Sequence, residues 1–363
     1  VSPARSLDLK AASPPLIICV GSGGVGKTTL AAAMGLVSAA AGHDTLVMTF
    51  DPSLRLKDAL GVGDAEQDRE IVVPVKTAGA LHASLLDARR TFDRLVEQHA
   101  PDAASRRRIL ENPYYHHLAG QLGGILEYMA VERLYEVSRA DRCYTRIILD
   151  TPPARQAIDF LEAPRRIVDF LDSGALKIAL RRWFDPRGHL VSAPGLAFLG
   201  RGVERFLDRI VGLDLLRDMS EFFQAFEPLF AGFRARALEV EALLAAASTR
   251  FVLVAGPGEA RNPDTLFFAR KIQEAGWHLG PIVVNRLHPR FAPESASGPG
   301  AEQRGRQLFT WLGERHARGL DALGALLPAD QALVAMPLEP DEPTDLASLS
   351  AMGAKLQERL DDA

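Results

Sequence analysis

The chain has 363 residues, 47% of them hydrophobic, enough for one large α/β unit or two domains around a full core. A net charge of −4, from 42 basic and 46 acidic residues, leaves no basic footprint for nucleic acid. Cys19 and Cys143 form no C-x-x-C, which excludes a zinc clamp made from the cysteines of one chain and fits a reducing, cytoplasmic setting, and no apolar run reaches the roughly 18 residues of a membrane span.

Residues 1–14 contain no long apolar segment and read as a flexible tail, which leaves 15–363 as a single domain. Pro15-Leu-Ile-Ile-Cys-Val-Gly-Ser-Gly-Gly-Val-Gly-Lys-Thr-Thr29 joins an apolar strand, a glycine loop and the start of a helix that continues through Ala41. Gly21 and Gly26 have the spacing G-x-x-x-x-G-K-[ST]. In that motif the backbone N–H groups of a loop such as Gly21, Gly23, Gly24, Val25 and Gly26 converge on phosphate oxygens. Lys27 would reach the β/γ-phosphates, Thr28 would ligate Mg²⁺, and Thr29 would follow on the helix N-terminus, whose partial positive charge favours an anion. The same residues also spell Gly21-x-Gly23-x-x-Gly26, a dinucleotide fingerprint, with Asp51 placed where a ribose-binding acid belongs, as an NAD-dependent dehydrogenase would need. A dinucleotide site has no use for a lysine and a Mg²⁺-binding hydroxyl directly after the third glycine, so ATP with Mg²⁺ is the stronger reading.

Thr45 to Phe50 is a second strand, stopped by Asp51-Pro52, and Ile71 to Lys76 is a short strand placed at an edge by Pro74. Residues 79–140 read as mainly helical, with Leu122, Ile125, Leu126, Met129 and Leu134 forming one stripe. Thr145 to Asp150 is a strand ending in an acid before Thr151-Pro152-Pro153, and 157–246 reads as a helical insertion. Within it Phe222, Phe223, Phe226, Phe230 and Phe233 share one stripe, read as packing against neighbouring helices rather than as an apolar client groove. His116-His117, with no acid or cysteine pair nearby, reads as structural. Phe251 to Ala255, Pro281 to Asn285 and Ala332 to Met336 are further strands, Arg290 to Gly305 a loop, and Asp345 to Leu360 a closing helix. The alternation predicts an α/β P-loop NTPase fold, a largely parallel sheet flanked by helices with a helical insertion. Asp51 and Asp150 each end a strand near the glycine loop, where one acid can position water and another can steady Mg²⁺.

Gly21 to Thr29, Asp51-Pro-Ser-Leu-Arg-Leu-Lys-Asp-Ala-Leu60 and Asp150-Thr-Pro-Pro-Ala-Arg-Gln-Ala157 together resemble the ArsA family of P-loop ATPases, which includes arsenite-pump ATPases and targeting factors for tail-anchored membrane proteins. Glu127 to Glu136 and Asp159 to Arg166 are similar to segments of its bacterial members. The resemblance implies that Asp51 is the switch I acid orienting the attacking water, that Asp150 is the switch II acid near Mg²⁺, and that Asn285 recognises adenine. It also implies an ATP-gated homodimer, or a heterodimer with a related ATPase, serving a client protein; the alternative is an ATP-binding module with little hydrolysis. One position departs from the pattern. Where relatives carry a lysine that reaches a partner's nucleotide this chain has Ser22, which predicts slow hydrolysis unless Arg55 or Arg155 substitutes.

Overall fold

In a computed structural model of the chain, residues 7–50, 56, 60, 61, 69–112, 125–139, 144–173, 221–291 and 300–363 are described. They form two compact units, one of residues 1–86, 138–158 and 242–363, the other of 87–137 and 159–241.

The first unit is built on an eight-stranded sheet among the described residues: β1 (Leu16–Gly21), β2 (Thr45–Thr49), β3 (Ile71–Val72), β4 (Leu81–Leu85), β5 (Arg146–Asp150), β6 (Thr249–Ala255), β7 (Leu279–Leu287) and β8 (Leu333–Pro337). The order is β3-β4-β2-β5-β1-β6-β7-β8, with every pair parallel except β3 on β4. β1 and β2 are buried at every residue, the near-continuous apolar reading expected of strands covered on both faces. Helix α1 (Lys27–Ala40) follows the glycine loop and is buried over most of its length, its alanines at 31–33 fully so. Three further helices lie late in the chain among the described residues of this unit: Asn262–Glu274, Gly300–Leu326 and Leu346–Asp361. The last is opened by Asp345, whose carboxylate accepts from the Ser348 N–H while the Ser348 hydroxyl answers the Asp345 N–H.

The second unit contains α2 (Ala88–His99), α3 (Ala103–Leu110) and parts of α4 (Ile125–Arg139), α5 (Ala154–Asp172) and α6 (Phe230–Ala245). The phenylalanine stripe packs inside this unit. Phe222, Phe226 and Phe233 are buried, Phe226 stacks on Phe92, and Phe233 stacks on Tyr128. Beside them Glu132 accepts from Arg236 Nε at 2.6 Å and from the Tyr128 hydroxyl. Burial raises the Glu132 carboxyl above its ordinary range, and Arg236 pulls against that rise. The remaining helices of the first unit, in chain order, are α7 (Asn262–Glu274), α8 (Gly300–Leu326) and α9 (Leu346–Asp361).

Three sequence expectations are corrected here. β4 lies inside the stretch read as mainly helical; its Leu-His-Ala-Ser-Leu has little strand character of its own and is held by parallel pairing to β2. α8 begins at Gly300, inside the stretch read as a loop to Gly305. The tail is fastened from Leu7 onward: Leu7 and Leu9 are 3% and 0% exposed, and the Leu9 N–H donates to Gln357 of α9. Arg146 at the start of β5 donates to the Leu9 carbonyl at 2.8 Å and to the Ala11 carbonyl. Burial lowers the pKa of this guanidinium to about 10, so at neutral pH it remains a cation that needs those two carbonyls. The Asp51 and Arg55 segment, His116-His117, Cys143 and residues 174–220 of the helical insertion lie outside the described residues.

Leu9→Ala should lower the unfolding free energy by about 2–5 kcal/mol, the usual cost of emptying a closed apolar site. A urea titration measures it, and an unchanged midpoint would mean that the tail is not part of the core.

Candidate functional site

The carboxyl ends of β1, β2 and β5 converge beside the glycine loop, and the backbone there permits little variation. Gly21 has φ 149°, and a Cβ on it would run into the Val254 carbonyl of the neighbouring β6. Gly26 is the N-cap of α1 at φ 90°, a left-handed conformation, and a Cβ on it would lie 2.5 Å from the Asn285 amide nitrogen. Its carbonyl accepts the first helical bond, from Leu30. Gly23 and Gly24 are exposed, Val25 is buried, and Thr29 is half-buried on the first turn.

Lys27 is 7% exposed, and its Nζ donates to the Ser22 carbonyl at 3.1 Å, closing the loop on itself. Asp150 is fully buried; its Oδ2 accepts from the Thr28 hydroxyl at 2.6 Å and from the Thr49 hydroxyl at 2.9 Å. β5 lies between β1 and β2, in register Cys19↔Asp150 and Thr49↔Asp150, and so carries this carboxylate to the loop's edge. The Thr151 hydroxyl donates to the Cys19 carbonyl at 2.7 Å, which fixes the turn after β5. Burial, reinforced by Asp150, pushes the Cys19 thiol well above its ordinary range, so this cysteine is a small buried side chain rather than a nucleophile.

Asn285 comes from β7. It is 1% exposed, its Nδ2 donates to the Val25 carbonyl at 2.9 Å, and its Oδ1 has no hydrogen bond among the described residues. With Thr29, Arg286, the 337–343 loop and Met352 it lines a cavity of about 360 Å³. The structure thus brings together Gly21, Gly23, Gly24, Val25, Gly26, Lys27, Thr28, Thr29, Asp150 and Asn285. Asp51 lies outside the described residues, and Arg155 falls on the first turn of α5 with its side chain outside them. Thr49 and Arg286 were missed in the sequence. Thr49 carried a usable signal, a hydroxyl ending the strand next to one that ends in Asp150; Arg286 carried none.

A strand, a glycine loop and a helix opening with Lys-Thr, with a buried acid on the adjacent strand, define an α/β P-loop NTPase fold. Strand order removes the dinucleotide rival, because β1 is flanked by β5 and β6, whereas the dinucleotide fold pairs its first strand directly with its second. Residues 15–185 match the family model described as anion-transporting ATPase. The chain is 28% identical over 314 residues to an uncharacterised protein of Streptomyces coelicolor, covering 85% of this chain and 72% of that one. It is 28% identical to the ATPase GET3 of Malassezia globosa over 41% of this chain and 42% of that protein, and 28% identical to the ATPase ARSA1 of Chlamydomonas reinhardtii over 45% and 23%. The chain therefore matches less than half the length of those two named ATPases. Residues 15–185, a little under half of the chain, are thus similar to the ArsA-type ATPase family.

Thr49→Val removes one donor from a fully buried carboxylate and should cost about 1–3 kcal/mol of stability. Chemical denaturation reads this out; no change would show that Asp150 takes a replacement donor.

Proposed function

We propose that this chain binds Mg-ATP and hydrolyses it slowly, as a nucleotide-gated dimeric switch coupled to a client or membrane partner. The observation that carries the reading is the junction of the glycine loop with Asp150: Lys27 over the loop, and the Thr28 hydroxyl 2.6 Å from a buried carboxylate. A hydroxyl and a carboxylate are hard oxygen donors suited to Mg²⁺, which is commonly held by one or two protein groups together with phosphates and water. In keeping with this, no cluster of three or more His, Cys, Asp or Glu that could hold a metal occurs among the described residues. Thr28 and Asp150 would hold Mg²⁺, which when bound supplies charge neutralisation at the phosphates.

The chain's own groups would divide the work. The loop N–H groups and Lys27 bind the phosphates, and Thr49 keeps the Asp150 carboxylate aimed at Thr28. Asp51, carried over from the family pattern, orients the attacking water. Asn285 and the 360 Å³ cavity beside it support a place for the adenine, since the pocket is of the size small ligands occupy and adjoins the loop. Ser22 supports slow turnover, because it cannot lend a partner the cation that contributes about 10³–10⁵ in rate in related phosphoryl transfers. The single ATPase domain, with helical segments inserted in it, is part of the same proposal. No helix among the described residues is long and apolar enough to cross a membrane.

Lys27→Ala should abolish or badly weaken Mg-ATP binding by calorimetry, and retained affinity would overturn the P-loop reading. Asp51→Asn should keep the binding and stop phosphate release; turnover at the parental rate would remove Asp51 from the water-orienting role.

A further inference from the structure

Two consecutive carbonyls of the glycine loop are held from behind by two consecutive residues of β7. The Val25 carbonyl accepts from Asn285 Nδ2, and the Gly24 carbonyl accepts from Arg286 Nη1 at 3.1 Å. In a trans peptide the C=O and the next N–H point in opposite directions. Fixing the Gly24 carbonyl against β7 therefore turns the Val25 N–H to the other side of the loop, and fixing the Val25 carbonyl does the same for the Gly26 N–H. Left-handed φ values of 75° at Gly24 and 90° at Gly26 allow successive N–H groups to gather into an anion-binding nest.

Arg286 is itself unusual. It has φ 62°, the only left-handed residue other than glycine among those described, in a conformation that a β-carbon disfavours and that persists where surroundings over-determine it. Its other terminal nitrogen, Nη2, lies 3.5 Å from Glu342 Oε1, on the 337–343 loop that lines the cavity beside Asn285. One guanidinium fork thus spans the back of the phosphate loop and the wall of the cavity.

We propose that Arg286 is a positioning residue: through the Gly24 carbonyl it aims the Val25 N–H into the phosphate cradle, and through Glu342 it ties that cradle to the cavity loop. The inference rests on the nucleotide reading above. Arg286 differs from the lysine that Ser22 replaces in that it acts on loop geometry rather than on phosphate charge. Lysine should not replace it, because a single ammonium cannot reproduce a planar fork holding a carbonyl and a carboxylate together.

The test compares Mg-ADP and adenosine binding to wild type, Arg286→Ala and Arg286→Lys, alongside the melting temperature without nucleotide. The Arg286 side chain is 44% exposed, so both variants should fold with nearly the parental melting temperature. Arg286→Ala should bind Mg-ADP about tenfold more weakly, the loss expected for one charge-assisted hydrogen bond, and should lose adenosine affinity by a clearly smaller factor. Arg286→Lys should recover little of the loss. Unchanged Mg-ADP affinity in Arg286→Ala, equal losses for Mg-ADP and adenosine, a clearly lowered melting temperature, or full recovery by lysine would each overturn the proposal. Failure of the wild type to bind Mg-ADP would instead overturn the nucleotide reading itself.

Discussion

A loop that turns its N–H groups toward an anion must put the matching carbonyls somewhere else, and this requirement shapes the centre of the molecule. Here those carbonyls have partners: Ser22 is bonded to Lys27, Gly24 to Arg286, Val25 to Asn285, and Gly26 to the first turn of α1. The partners come from the loop's own helix and from a strand about 260 residues downstream. The close approach of Asn285 leaves no room for a Cβ at Gly26, so the glycine is required by its neighbour as well as by its φ angle.

The sheet supplies the second constraint. A buried carboxylate is tolerable only where donors meet it, and β5 is threaded between β1 and β2 so that Asp150 arrives beside Thr28 and Thr49. The same strand begins with a buried guanidinium, Arg146, whose two terminal nitrogens donate to carbonyls of the N-terminal segment. β5 therefore carries a buried ionisable side chain at each end, and each holds a different segment to the sheet.

Much of this was legible in the sequence, because the strands of a covered parallel sheet are apolar runs and the loop between β1 and α1 has a fixed spacing of glycines. The strand ending in Asp150 carried a local chemical signal. What could not be read depends on distant partners. β4 has too weak a composition to declare itself, and Arg146 looks like a solvent-facing charge until the carbonyls of Leu9 and Ala11 are brought to it. Arg286 follows an asparagine that the family pattern singles out, yet nothing in its neighbourhood indicates a bond to Gly24, 262 positions away.

The stretch that matches the family model ends at residue 185, whereas the groups behind the loop stand at 285 and 286. A polypeptide cut at that boundary would keep every letter of the glycine motif and lose what gives those letters their shape. β1 would have a bare edge where β6 had paired with it, and the carbonyls of Gly24 and Val25 would turn to water. The motif is thus local as a string and global as an object: the smallest piece of this chain able to present the cradle must reach past β7.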